Sequence, residues 1–257
     1  MEGAGQLIVQ LVWAIGLLGI ATGIALWQRV EDLLGMALST VRGALQLFVL
    51  SYLLTMLIVL EQPLVSLLGI ILFGIVAALL LRSQLAVKLP LLPLTLMGLG
   101  LGLAVPLIYV VVFVLRPAAW YDPQILLPLS GLVLANASSG GLIAANRLIQ
   151  SLTYNTNNIE TALCLGNTAT AAIAHYRRDA IRAAILPHTT ALSIVGLGTM
   201  PTLMAGSLLG GIEPFQAAIW QLVVMLMSLV ATLITVLLLC AGIQRQFFSQ
   251  ADQLQQW

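Results

Sequence analysis

The chain has 257 residues, of which 60% are hydrophobic and only 7% are charged, and its mean hydropathy is +1.06. A soluble domain carries about 25% charged residues, so this composition excludes a soluble globular protein and predicts a single transmembrane domain over residues 1–257. The net charge of +1 gives no sign of nucleic-acid binding. The two cysteines, Cys164 and Cys240, lie far apart in the sequence, which favours free thiols over a disulfide framework.

The predicted elements are almost all apolar helices. A helix that crosses a membrane needs about 20 apolar residues, and about seven segments reach this length. We therefore predict an all-α, multi-pass bundle in the cell (inner) membrane. No internal repeat is evident, and an odd number of spans argues against a two-fold inverted repeat. The predicted spans are Leu7–Trp27, Val41–Leu60, Leu64–Leu81, Leu91–Leu115, Gln124–Ala145, Ala191–Gly210 and Ala217–Ile243.

Several features interrupt this pattern. Between the first two spans, Gln28–Thr40 is amphipathic and is predicted to lie at the membrane interface. Pro106 and Pro201 fall inside the fourth and sixth spans, where each removes a backbone hydrogen bond and should kink its helix. The alternating glycines of Gly98–Gly102 indicate close helix packing rather than a nucleotide-binding loop, because no strand precedes them and they lie at membrane depth.

The distribution of basic residues predicts the orientation, since Lys and Arg accumulate on the cytoplasmic side. With the N-terminus outside and the C-terminus inside, only Arg116 of the ten basic residues lies outside. The polar segment Asn157–Pro187 is then cytoplasmic, within a cytoplasmic coupling region of residues 150–188. The basic residues predicted to lie inside are Arg29, Arg42, Arg82, Lys88, Arg147, Arg177, Arg178, Arg182 and Arg245.

Polar groups and methionines at membrane depth are candidates for a translocation pathway, because polar groups in hydrocarbon normally face protein or water. Three alternatives stay open: hydrogen bonds between helices, extension of an arginine to the interface, and packing of the methionines. No carboxylate lies at the predicted midplane, which counts against a simple cation channel. The candidates are Arg42 and Gln46 in the second span, Asn136, Ser138 and Ser139 in the fifth, and Met200, Pro201 and Met204 in the sixth.

The segment Asn157–Pro187 carries helix start and stop signals. Asn157 followed by Glu160 has the spacing of a capping box, and Gly166 is a typical helix end. Asn167 or Thr168 can cap a second helix, which Pro187 would close. The segment is therefore predicted to be a helix–glycine–helix unit outside the membrane.

Glu160–Gly166 followed by Ile185–Pro187 resembles the EAA-type cytoplasmic loop of ABC transporter permeases. In that family a short helix of this loop docks into a groove of the ATP-binding subunit. The resemblance therefore implies an ATPase-docking surface that includes Glu160, Gly166, Arg177, Arg178, Asp179, Arg182 and Pro187.

Longer stretches resemble the Fet-type iron-export permease family, which includes bacterial iron-tolerance permeases and plant relatives linked to aluminium sensitivity. They are Val41–Leu47, Leu129–Asn146, Arg178–Pro187 and Gly196–Pro214. The resemblance implies a permease that exports iron or another metal. It also implies a separate ABC ATP-binding subunit, and two permeases with two ATPases in the complex. ATP and Mg²⁺ would be bound by that partner, with no cofactor and no metal site in this chain.

Two further functions remain open. The same kind of permease could carry a chelate, a nucleotide-sugar or an amphipathic molecule, or the chain could be a stand-alone secondary transporter or channel. An enzyme has little support, because the sequence has no Walker A motif, no HExxH motif and no clustered His/Cys set. His175 and His188 are predicted to be ordinary histidines in or beside the cytoplasmic loop rather than a metal pair.

Overall fold

The computed structural model describes residues 2–27, 33–60, 62–85, 91–117 and 119–248. Its regular elements are all helices, which confirms the all-α prediction. Five helices of the described residues are long and apolar enough to cross a membrane. The chain is thus a multi-pass membrane protein, whereas the number of seven spans and the orientation remain predictions. Two of the predicted inner basic residues, Arg29 and Lys88, lie outside the described residues.

The chain forms two compact units, Met1–Val59 and Leu60–Trp257, which are described separately. The first contains α1 (Glu2–Trp27) and α2 (Leu33–Leu60). Residues 33–40 of the expected interfacial segment are the first turns of α2, and residues 28–32 lie outside the described part, so the interfacial position stays a prediction. The stretch from residue 33 to 40 contains no proline and one glycine, so little in it stops a helix.

The second unit contains most of the elements. Proline stands in the first turn of its four long apolar helices, where the missing N–H breaks no helical hydrogen bond. The elements are α3 (Pro63–Ser83), α4 (Leu92–Tyr109) with a π-helical continuation (Val110–Leu115), α5 (Pro123–Tyr154), α6 (Thr156–Cys164), α7 (Ala169–Ala172), α8 (Ala174–Ile194), α9 (Thr202–Leu209) and α10 (Pro214–Phe247).

Close packing around α10 holds this unit together. Gly102 of α4 lies directly against Thr235, so that a Cβ there would also come within 2.9 Å of the Ala231 carbonyl oxygen. The Thr235 hydroxyl donates a hydrogen bond to the carbonyl of Gly98 at 3.1 Å. The packing role predicted for this glycine stretch is therefore confirmed at these two positions. At Gly100, in contrast, a Cβ would meet no described atom within 4 Å.

The predicted sixth span, Ala191–Gly210, is wrong as a single helix. The helix α8 begins at Ala174, passes through Pro187 and ends at Ile194, and α9 begins only at Thr202. The break at residues 195–201 contains Gly196 with a φ of 83°, a conformation that favours glycine. Pro201 stands at the N-cap of α9 rather than inside a helix. Hydropathy averaged over a whole span does not reveal the break, because apolar residues on both sides of it keep the average high.

In the fourth predicted span the helix is continuous but irregular. Pro106 lies inside α4, and the α-helical geometry changes to π-helical four residues later, at Val110. Local π-helical turns are a known way to accommodate a disturbed hydrogen-bond ladder. The segment ends at Arg116, whose φ of 42° is left-handed.

Candidate functional site

The helices α5, α8 and α10 converge in the middle of the second unit. Two contacts between polar side chains connect these helices. Asn136 Nδ2 of α5 donates to Ser228 Oγ of α10 at 3.1 Å, and His188 Nε2 of α8 lies 3.2 Å from Thr232 Oγ1 of α10. Asn136 also donates to the Leu132 carbonyl at 3.1 Å. Because Ser228 and Thr232 are central in the 34-residue α10, this polar group lies at the depth of the spans.

This geometry corrects the placement of Pro187 and His188. Both were expected at the end of a cytoplasmic loop, but Pro187 lies inside α8 and His188 packs against the middle of α10. Near the C-terminal end of α10, Gln244 donates to Thr170 of α7, the short helix before α8, at 2.9 Å. The chain from residue 170 to 188 therefore runs antiparallel to α10, from the end of the bundle to its centre.

Gly140 of α5 makes this convergence possible. A Cβ at this position would overlap the methyl group of Thr232 and lie 3.6 Å from the Ala184 carbonyl oxygen. Only a residue without a side chain lets α8 and α10 approach α5 so closely. The close contact of α5 with α8 and α10 at Gly140 therefore involves Thr232, the same residue that contacts His188.

A cavity of about 290 Å³ opens beside this polar group. Its lining carries hydroxyl, amide and imidazole groups but no charged side chain. The residues that line it include Asn136, Pro187, His188, Pro201, Gln221, Met225 and Ser228.

A second cavity, of about 500 Å³, lies along the break between α8 and α9. The whole stretch from Val195 to Pro201 lines it, together with Met204 of α9 and Met225 of α10. Gln221 lines both cavities, and its Oε1 accepts a hydrogen bond from the Met204 N–H at 3.3 Å. Non-helical backbone at membrane depth is tolerated where it lines a cavity or is buried in protein.

The structure thus brings together four of the predicted pathway residues, Asn136, Met200, Pro201 and Met204, around two adjoining cavities. The other four do not line these cavities. Ser138 has a buried hydroxyl without a hydrogen-bond partner among the described residues, and Ser139 is exposed. Arg42 and Gln46 are exposed on α2, in the first unit. A pathway role stays a prediction for all eight residues.

The sequence interpretation missed the contribution of α10. Gln221, Ser228, Thr232 and Thr235 follow one another at spacings of seven, four and three residues, which places them on one helical face. Such a polar face on an apolar helix is the signal that could have identified them. His188 was missed because Pro187 was taken as a helix end.

The predicted cytoplasmic segment forms most of α6, all of α7 and the first two thirds of α8. The expected capping box is wrong, because α6 begins at Thr156 and its N-cap residue makes no side-chain cap bond. Thr168, in contrast, caps α7 through its hydroxyl, which accepts a hydrogen bond from the Ala171 N–H at 3.3 Å. Gly166 turns the chain with a φ of 88°.

Many side chains of this segment are exposed. Glu160, Arg178 and Arg182 are exposed, while Arg177 and Asp179 are half-buried. Asp179 lies 3.5 Å from His175. Leu165, which the sequence interpretation did not select, is 80% exposed, and Tyr154, at the end of α5 just before the segment, is 86% exposed. The segment therefore combines exposed charges with large exposed apolar side chains, a composition typical of an interface.

Comparison with known proteins places these features in a family context. Residues 8–248 match the model of the uncharacterised protein family UPF0014. The chain is 34% identical over 244 residues to the UPF0014 membrane protein slr1647 of Synechocystis, with 94% of each chain covered. It is 30% identical over 157 residues to the probable iron export permease protein FetB of Escherichia coli, covering 61% of this chain and 58% of that protein.

A plant protein is also similar. The protein ALUMINUM SENSITIVE 3 of Arabidopsis thaliana is 29% identical over 135 residues, which cover 52% of this chain and 50% of the plant protein. These relatives confirm the resemblance drawn from the motifs. No solved structure matches the chain.

Proposed function

Because the chain belongs to the UPF0014 family of membrane proteins, we propose that it is the permease subunit of an ABC transporter that exports iron or another metal. A separate ATP-binding subunit drives it, and two copies of each subunit form the transporter. The name of the Escherichia coli relative, a probable iron export permease, supports both the permease role and the metal. The absence of a Walker A motif in the sequence is consistent with ATP hydrolysis by a partner.

One observation carries this proposal: a single helix connects the exposed segment to the polar centre of the bundle. Arg177 and Arg178 stand in the first turns of α8, and His188 stands eleven residues after Arg177 on the same helix. At 1.5 Å per residue, the helix spans about 16 Å between them. A force applied at α6 and the start of α8 would therefore be transmitted directly to both cavities.

The docking surface is built from α6 and the turn after it. Leu165 extends into solvent immediately before Gly166, and a Cβ at Gly166 would meet no described atom within 4 Å. Leu165 would provide an apolar side chain that can insert into a groove of the ATP-binding subunit, and Gly166, which has no side chain, would let the two surfaces come close together. Glu160, Arg178 and Arg182 supply the surrounding charges, and Arg177 and Asp179 lie beside them.

Substitution of Gly166 by Asp tests the docking role. The expected result is normal membrane insertion but a loss of coupling, because an unpaired carboxylate buried at an interface costs about 2 kcal/mol or more, at least about tenfold in affinity. The measurement is stimulation of the partner's ATP hydrolysis in proteoliposomes. The matched control is Gly211→Asp, since Gly211 has a similar φ of 84° and equally open surroundings but belongs to the turn between α9 and α10.

Two results would contradict the proposal. Unchanged ATPase stimulation by the Gly166→Asp protein would exclude docking at α6. Transport by the purified chain without any nucleotide-hydrolysing subunit would instead support a stand-alone secondary transporter or channel.

A second candidate function keeps the ATP-driven permease but changes the cargo to a metal chelate or another amphipathic molecule. The observation that favours it is the uncharged lining of both cavities. A hard, uncomplexed cation normally binds anionic oxygen ligands. Uptake into inside-out vesicles, measured separately with the free metal and with its chelate, distinguishes the two cargoes.

A further inference from the structure

We propose that the larger cavity, along the break between α8 and α9, is a thioether site for a soft monovalent metal ion of the Cu(I) or Ag(I) kind. This inference rests on the proposed transport function, because it names the class of metal that the permease would carry.

The chemical composition of the cavity is the first argument. Three methionines line it, each from a different element: Met200 from the break, Met204 from α9 and Met225 from α10. Thioether sulfur is a soft ligand that selects ions such as Cu(I), whereas Mg²⁺, Ca²⁺ and Mn²⁺ prefer carboxylate, carbonyl and water oxygens. None of the residues that line this cavity is charged.

The exposure of these methionines is the second argument. A methionine that only fills space in a core is buried, as Met227 is, with 2% of its surface exposed. Met200 is 63% exposed, and Met204 and Met225 are half-buried. All three side chains therefore retain surface that can face a ligand.

The position of the cavity is the third argument. Broken helices form the binding sites of many transporters, and this break lies against residues 218–225, in the first half of the 34-residue α10. Here Gln221 fixes the end of the broken helix, because its Oε1 accepts a hydrogen bond from the Met204 N–H in the first turn of α9. This N–H has no acceptor within its own helix. The bond holds Met204 close to the face of α10 that carries Met225.

The absence of charge from the lining also argues for a monovalent ion. The cost of moving an ion out of water rises with the square of its charge, and without a carboxylate nothing here offsets the cost for a divalent ion. Thioethers add favourable soft coordination without adding charge. The site thus favours a weakly hydrated monovalent ion over a strongly hydrated divalent ion.

Silver titration of the purified full-length chain in detergent tests the site, since Ag⁺ is a redox-stable probe for Cu(I). All samples carry Cys164→Ser, because the exposed thiol of Cys164 would itself bind Ag⁺. We expect the three-fold variant Met200→Leu, Met204→Leu and Met225→Leu to bind Ag⁺ at least about tenfold more weakly, a change of about 1.4 kcal/mol. Leucine conserves the volume of methionine, so folding should be retained.

Two control variants test whether the loss of Ag⁺ affinity is specific to the three methionines of the cavity. Met227→Leu changes a buried methionine, and Met97→Leu changes one that is 51% exposed on α4. Both should bind Ag⁺ as tightly as the parent protein. Equal affinity of the three-fold variant and its parent would overturn the proposal, as would tighter binding of Fe²⁺ than of Ag⁺ in a parallel titration.

The two proposals can fail independently. A chain that stimulates its ATPase partner but binds no Ag⁺ contradicts the thioether site alone. A chain that binds Ag⁺ through these methionines but neither docks an ATPase nor needs one supports the site and contradicts the ABC permease.

Discussion

At the scale of single residues, the hydrogen bond between Asn136 and Ser228 links α5 to α10 at the level of the cavities. We predict that the two side chains are energetically coupled by about 0.6 kcal/mol, the typical value for a polar contact between helices within a membrane. The measurement is a double-mutant cycle of Asn136→Ala and Ser228→Ala, read from the free energy of unfolding. Thr153→Ala with Asn136→Ala serves as the control, because Thr153 is exposed on α5 about 25 Å further along the helix and should give additive effects.

Which single residues could be predicted depends on how unusual each one is in its segment. Asn136 and Met200 stand out in apolar surroundings, and the structure places both at cavities. Ser228 and Thr232 do not stand out, since isolated hydroxyl residues commonly bond to their own helix backbone. The signal in the sequence is that they share a helical face with Gln221, and the structure adds that α8 passes that face.

At the scale of elements, the contact of α4 with α10 gives a prediction about glycine. Gly102→Ala should destabilise the protein by about 1–3 kcal/mol, because the added carbon overlaps Thr235 and the backbone of Ala231. Gly100→Ala, two residues earlier on the same helix, should be neutral, since a Cβ there meets no described atom. The measurement is thermal unfolding of both variants in detergent, and equal stability of the two would contradict the packing described for α4.

The elements could be predicted from hydropathy only where the apolar run and the helical backbone begin and end together. The long α5 and α10 extend beyond their predicted ends because Leu148, Leu152 and Phe247 continue the buried face after the hydrophobic run stops. The sixth span fails for the opposite reason. Its hydropathy is continuous, whereas its backbone is broken by Gly196 and resumes as a helix after Pro201.

At the scale of the whole molecule, composition alone predicted a helical membrane bundle, because so apolar a chain can be stable only where lipid surrounds it. The same composition explains why large apolar side chains such as Leu68, Ile108 and Phe113 remain exposed on the outer surfaces of the helices. The convergence of α5, α8 and α10 could not be derived in this way. It depends on the fit of Gly140 against Thr232, which hydropathy does not encode.

The orientation of the molecule and the docking role of α6 can be tested together with a native thiol. Cys164 is exposed at the end of α6, two residues before Gly166, whereas Cys240 is buried in α10. If the coupling segment is cytoplasmic, a membrane-impermeant maleimide should label Cys164 in inside-out vesicles but not in intact cells. Cys164→Ser should abolish this labelling, and Cys240→Ser should leave it unchanged.

The same thiol reports on the partner. When the ATP-binding subunit docks on α6, it should cover Cys164 and slow its modification, and Gly166→Asp should restore the rate. Labelling of Cys164 from outside intact cells would reverse the predicted orientation. Labelling from the inside without protection by the ATP-binding subunit would keep the orientation but remove α6 from the docking surface. Maleimide labelling of Cys164 therefore tests both the orientation of the helices in the membrane and the docking position of the ATP-binding subunit.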